Sequence, residues 1–242
     1  RRFSLGPDNQ LTRRNTPPIQ NLALFNQLLF WDGRENQLEE MVLQPIFDHT
    51  EMGIETEAEL IRKVEAKQYY RDFFRETYGR VTIENIGKSL GAFVTSIQSN
   101  GSKFERRNEP FTELESKGEA LFFGDYNCAS CHNIEVPRGY YGSSGGFSGG
   151  FSNQGNEDER QFDPNSEAMS NIGLDLKYED VGEGEVFETP EAEGRFKVTN
   201  LRNVALTAPY MHDGRFETLD EVIDHYSDGV KEHPNLDRRL RD

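Results

Sequence analysis

DYNCASCHNIE, residues Asp125 to Glu135, holds both cysteines of the chain. Cys128 and Cys131 are separated by two residues, and His132 follows at once. Three chemistries use such a pair. A structural zinc site normally needs four Cys or His ligands. Here His49, His212, His225 and His233 remain to complete one, with no second paired motif. A thioredoxin-like dithiol wants its CxxC at a helix start after a strand, within an α/β pattern. The residues before Cys128 read instead as helix. The remaining reading is c-type haem attachment. Two thioethers anchor the vinyl groups, and the tether places His132 under the iron. A Gly and a turn precede the cysteines in ALFFGDYNCASCHN. Haem c attachment also predicts export, because the attachment machinery works outside the cytoplasm.

The bulk numbers narrow the classes. The 242 residues suffice for one large domain or two small ones, with a net charge of −16 and a mean hydropathy of −0.78. Such acidity argues against nucleic acid, which calls for basic patches. It permits a basic protein partner. No apolar run approaches the roughly 20 residues that span a bilayer, so no membrane span is expected. No signal peptide is present, and none would remain in a mature exported protein. The first residue is Arg1, which suggests a processed or incomplete chain.

Helical signals recur along the sequence. Thr56–Glu59 (TEAE), Thr112–Glu115 (TELE) and Thr218–Glu221 (TLDE) read as capping boxes, in which the Thr hydroxyl accepts from the amide three residues on. Leu60, Ile61 and Val64 follow the first; Leu121, Phe122 and Phe123 end the second, with Gly124 as the stop; Val222, Ile223 and Tyr226 follow the third. Thr82 opens a further helix with Ile83, Ile86, Leu90, Val94 and Ile97 on one stripe. All these stripes read as core packing. Between Pro137 and Asn171 the chain is Gly/Ser-rich and then acidic, which predicts a long surface loop, its Gly-rich part at residues 139–155.

Several blocks carry a resemblance: RRNTPPIQN (Arg13–Asn21), FWDGRENQLEEMVLQPI (Phe30–Ile46), HTEMG (His49–Gly53) and LRNVALTAPYMHDGRFETLDEVIDHYSDG (Leu201–Gly229). In this order they resemble the bacterial di-haem cytochrome c peroxidase family, including its MauG-type branch. The resemblance implies an all-α fold of two cytochrome c-like domains with long irregular loops. It divides the chain into residues 1–105, part of an N-terminal peroxidatic haem domain with interdomain helices, and residues 106–242, a C-terminal haem domain. The family has an earlier CxxCH, upstream of its RNTP block, and a further C-terminal helix. Neither is in this sequence, so both ends of the native protein, including part of the first domain, are expected to lie outside it.

The same resemblance assigns roles residue by residue. Glu51 matches the acid over the peroxidatic iron, where a carboxylate can move a proton from the near peroxide oxygen to the leaving one. Pro45 matches the proline that shapes that pocket. Met41 falls where many members have Gln, which leaves the pocket short of a polar partner. SLGPDNQ before RNTP holds no His, so the peroxidatic iron should be open at rest. Trp31 matches the residue between the two haems, an electron relay. Asn15, Thr207 and Pro209 match a calcium site built from one side-chain oxygen and two backbone carbonyls. Tyr226 occupies the distal-ligand position of the tethered haem, as in the MauG-type branch; Met211 is the second candidate.

The expected activity is a cytochrome-c peroxidase-like haem oxidoreductase. It would reduce hydrogen peroxide with electrons relayed through the C-terminal haem, with MauG-like oxidation of a protein substrate as a variant. The alternative is a plain electron-transfer c-type cytochrome without peroxidase activity. Expected cofactors are haem c, one on this chain and two in the native protein, and calcium. Expected partners are a small electron donor (a cytochrome c or cupredoxin) or a protein substrate, in the periplasm, with room for a homodimer.

Overall fold

Each of the four helix starts read from the sequence is capped as its threonine dictates. The side chains of Thr56, Thr82, Thr112 and Thr218 accept from the amides of Glu59, Asn85, Glu115 and Glu221. The reciprocal half of the box, glutamate back to the cap amide, is present at Thr112 and Thr218. At Thr56 it shifts by one residue, and the Glu59 carboxylate takes the amide of Glu55. The computed structural model describes residues 1–22, 28–99, 101–106, 109–132 and 162–241.

Nine α-helical segments occur among the described residues: α1 (Leu38–Met41), α2 (Gln44–Phe47), α3 (Glu57–Glu65), α4 (Gln68–Tyr78), α5 (Ile83–Ser96), α6 (Lys103–Arg106), α7 (Glu113–Phe123), α8 (Gly184–Phe187) and α9 (Leu219–Asp224). The structure is mostly helical with little strand. The ladder is one antiparallel pair, β1 (Met169–Ser170) with β2 (Phe196–Lys197).

One apolar cluster joins Leu43, Ile46, Leu60, Phe74, Val81 and Ile86, and a second joins Leu29, Leu38 and Val94. They meet where α1 crosses α5. Gly87 permits that crossing, since a Cβ there would lie 2.7 Å from the Glu39 carbonyl. A third cluster, Leu174, Tyr178 and Phe196, takes in Trp31, Met211 and Phe216. Trp31 therefore packs against residues far along the chain, and Arg14 reinforces the connection. Its guanidinium, nearly buried, lies 2.5 Å from Asp32 and 2.6 Å from Asp180.

Two expectations are corrected. The Gly-rich residues 139–155 lie outside the described residues, but the loop predicted to run to Asn171 ends earlier. Met169 and Asn171 are each 1% exposed. The Asn171 side chain accepts from the Gly173 amide and the Tyr178 hydroxyl, and it donates to the Glu193 carbonyl. A polar side chain can be buried when its hydrogen bonds are met in this way. The second correction concerns the apolar stripes of α7 and α9. Neither helix buries a residue, and Phe123 and Ile223 are 47% and 60% exposed. Neither apolar face joins a buried cluster among the described residues, although Phe123 stacks on Phe104.

Candidate functional site

The cysteine motif follows α7 directly. The helix stops at Gly124, Asn127 takes a left-handed conformation (φ 46°), and Cys128–Ser130 form one tight 3-10 turn. The amides of Cys131 and His132 both donate to the Cys128 carbonyl, at 3.2 and 2.9 Å. Both thiols are free and half-buried. Arg239 braces the loop by donating to the Ser130 carbonyl at 2.6 Å, and Asp237 holds Arg239 in turn at 2.7 Å. Burial pushes the Cys131 thiol up, with Arg239 opposing.

His132 is held by its Nδ1, 3.0 Å from the Thr199 carbonyl. A carbonyl can only accept, so the proton belongs on Nδ1 and Nε2 is left as a lone-pair donor. Metal-binding histidines are oriented in this way. Burial lowers the pKa of the ring, and the bond to Thr199 opposes the shift, so the imidazole is neutral at pH 7, as a ligand must be.

Tyr226 follows α9, inside a single π-helical turn, His225–Gly229. Such turns concentrate at functional sites because the extra residue redirects a side chain. His225 anchors the turn through its Nε2, 2.9 Å from the Ile172 carbonyl. The Tyr226 hydroxyl has no hydrogen-bond partner among the described residues. Burial raises its pKa, and the charges of Cys131 and Cys128 raise it further. The phenol is therefore near enough to the cysteine pair to feel its charge. Two free thiols, a neutral imidazole whose Nε2 is left as a donor, a buried phenol that feels the thiols, and two helices with exposed apolar residues together fit a haem c.

Glu51 and Pro45 line one cleft of about 640 Å³, together with Arg34, Gln44, Asp48 and Glu57. Burial raises the Glu51 pKa, the charge of Asp48 adds to it, and Arg34 opposes. Met41 does not reach this cleft. It packs against Leu29, Leu38 and Val94, and the polar lining that its identity seemed to remove comes from Gln44 and Arg34. Arg34 donates to Gln44 at 3.1 Å and stacks over Phe30 at 3.6 Å.

The Trp31 indole donates to the Asn15 carbonyl at 2.7 Å. The Asn15 side-chain amide donates to the Pro209 carbonyl at 2.7 Å. A side-chain amide and a backbone carbonyl of the predicted calcium set are thus adjacent, with Thr207 two residues before Pro209. Reversing the Asn15 amide would turn its oxygen toward the same point, and all three donors would be neutral oxygens, which suit a hard cation. Met211 packs into the cluster of Leu174, Tyr178 and Phe196 with Trp31, whereas Tyr226 is the candidate ligand that feels the cysteines.

The family model described as di-haem cytochrome c peroxidase matches residues 1–109. Over 98% of its length the chain is 28% identical to the methylamine utilization protein MauG of Methylorubrum extorquens, covering 64% of that protein. The chain is thus similar to the di-haem cytochrome c peroxidase family over most of its length. The cytochrome c551 peroxidase of Nitrosomonas europaea is 30% identical over 91% of the chain and 60% of that protein. Among solved structures, a MauG-like protein associated with microbial copper homeostasis superposes with a TM-score of 0.75 at 28% identity, over 96% of this chain and 67% of that one. The chain spans less than two thirds of the length of these curated relatives, from 44% to 66%. The description of the matched family model implies haem. Among the described residues no helix is long and apolar enough to cross a membrane.

Several residues that organise the site were not found from the sequence. Thr199 acts through its backbone, which leaves no side-chain signature. Arg14, Asp180 and Arg239 pair across 166 or 109 positions, or brace a carbonyl. Gln44 and Arg34 lie inside the quoted FWDGRENQLEEMVLQPI block, where the turn from α1 into α2 decides which side chain faces the cleft.

Proposed function

We propose that this chain carries the peroxide pocket and one tethered haem of a periplasmic di-haem c peroxidase, which reduces hydrogen peroxide with electrons from a small cytochrome c or cupredoxin. The observation that carries the reading is the His132 ring beside the Cys128–Cys131 pair, held by Thr199 through Nδ1 so that Nε2 is left as the donor atom. Residues 1–105 and 106–242 are taken as parts of two cytochrome c-like units. Two apolar clusters fall in the first, and the third draws Trp31 into the second. Two cysteines suffice for one haem; the second haem that the family's name implies needs anchors outside these 242 residues.

Cys128 and Cys131 would hold the haem by thioethers, and His132 and Tyr226 would bind its iron. When bound, haem c supplies one-electron redox chemistry, its potential set by axial ligand, hydrogen bonding and burial. The protein's own work is proton handling and positioning. Reduction of hydrogen peroxide to two waters takes two electrons and two protons. Glu51, in its cleft, takes a proton from one peroxide oxygen and delivers it to the other as the O–O bond breaks. Its raised pKa brings it closer to neutral pH, where an acid–base group is most effective. Pro45 shapes the cleft wall. Trp31 stands on the path between the two regions, anchored by Asn15. Asn15, Thr207 and Pro209 would bind calcium and fix that anchor.

The test is donor oxidation by the full-length protein. Pre-reduced small cytochrome c should be oxidised in a ratio of two per peroxide consumed. Oxidation that does not depend on peroxide would favour a plain electron-transfer cytochrome instead. A protein substrate oxidised in place of the donor would mark the MauG-type variant.

A further inference from the structure

Lys197 ends β2 with its side chain half-buried. Burial alone draws its ammonium down to about 8. No partner for its Nζ is found among the described residues, although the chain has 43 acidic residues. Lys63, Lys103 and Lys231 pair with Glu59, Glu115 and Asp175, while Lys67, Lys88, Lys117 and Lys177 lie exposed in water. A cation partly removed from water needs an anion, and no acidic side chain among the described residues supplies one to Lys197.

Its position points to where the anion belongs. The Lys197 amide donates to the Trp31 carbonyl at 2.8 Å, and the Val198 amide donates to the Ala168 carbonyl at 2.9 Å. Two residues after Lys197, the Thr199 carbonyl holds His132. One segment therefore carries the anchor of the proximal ring and, beside Trp31, an unpartnered half-buried cation. A haem brings two carboxylates on its own edge. We propose that the Lys197 ammonium pairs with a carboxylate of the haem tethered at Cys128 and Cys131 and thereby raises that haem's reduction potential. The inference rests on the haem assignment above. Its physical basis is that a cation beside the carboxylate offsets negative charge near the iron, which favours the ferrous state.

The test compares full-length holoprotein carrying Lys197→Gln or Lys197→Arg with wild type, by spectroelectrochemical titration of the haem and haem staining of the same samples. At a fixed poise near the wild-type midpoint, Lys197→Gln should lower the reduced-to-oxidised ratio by roughly tenfold. Lys197→Arg, which keeps the charge, should stay within about twofold. A Gln variant that carries haem and titrates like wild type overturns the inference alone. An Arg variant that falls as far as Gln also overturns it, because the effect would then follow packing rather than charge. A wild-type sample with no covalent haem overturns the haem assignment and this inference with it.

Discussion

The Nδ1 of His132 lies 3.0 Å from the carbonyl oxygen of Thr199, a residue of the extended segment that follows β2. This contact fixes the ring's tautomer and direction before any metal arrives. In His132→Gly, the haem should stay attached through Cys128 and Cys131 but lose its proximal ligand. The absorption spectrum should change, and added imidazole should restore it. A variant with the wild-type spectrum would place the ligand elsewhere.

Tyr226 is predicted to bind the same haem as phenolate. Burial and the neighbouring cysteines disfavour its charge in the bare protein, so ionisation must be coupled to metal binding. Tyr226→Met should raise the midpoint potential, because a neutral thioether favours ferrous iron more than a phenolate does. Potentiometric titration reads this directly. An unmoved potential would make Met211 the next candidate, although it packs beside Trp31.

Glu51 should govern the reaction with peroxide. Glu51→Gln should slow it by roughly 100-fold or more, the usual weight of general acid–base catalysis. The pH dependence follows from its neighbours. Glu51 must be ionised to accept the first proton, so the rate rises with pH through its pKa. Asp48 raises that pKa and Arg34 lowers it. Asp48→Asn should therefore move the rising limb to lower pH, and Arg34→Met to higher pH. Stopped-flow rates across pH check both signs; shifts in the same direction would refute the assignment.

Calcium binding should depend on the Asn15 side chain, which already meets the Pro209 carbonyl at 2.7 Å. Asn15→Leu should abolish calcium binding in a calorimetric titration. Chelation of wild-type protein should slow electron exchange between haems, since the Asn15 backbone also holds the Trp31 indole. Unchanged activity after verified calcium removal would exclude the site.

Asp237 gives an acid-stability prediction. Burial would raise its pKa, but hydrogen bonds from the Arg239 side chain and amide and from Ser170 outweigh this and hold it down at about 2. The native state thus binds this proton less readily than the unfolded chain, whose Asp titrates near 3.9. The stabilisation is complete above about pH 4 and is lost as pH falls toward 2. Allowing for solvent screening, it amounts to about 1–2 kcal/mol. Asp237→Asn should lower stability at pH 7 and flatten the acid limb of the unfolding profile.

The sequence was most legible where chemistry is local. The capping threonines, Gly124 and the CASCH motif act within a few residues, and each is found where its spacing puts it. The apolar stripes of α7 and α9 misled, because periodicity reports an apolar face without saying whether protein or cofactor covers it. The Gly/Ser-rich, acidic composition of residues 137–171 reads as loop, yet hydrogen bonds to Gly173 and Tyr178 bury Asn171. Arg14 with Asp180, and Thr199 with His132, were invisible because sequence distance hides the first pair and a backbone atom makes the second.

The central claim is a haem c covalently bound at Cys128 and Cys131. Mass spectrometry of the proteolytic peptide containing Cys128–His132, from protein matured in a host competent for haem c attachment, tests it most directly. The account predicts a peptide heavier by one haem, with both thiols blocked to alkylation. A peptide of unmodified mass with two alkylatable thiols would contradict it.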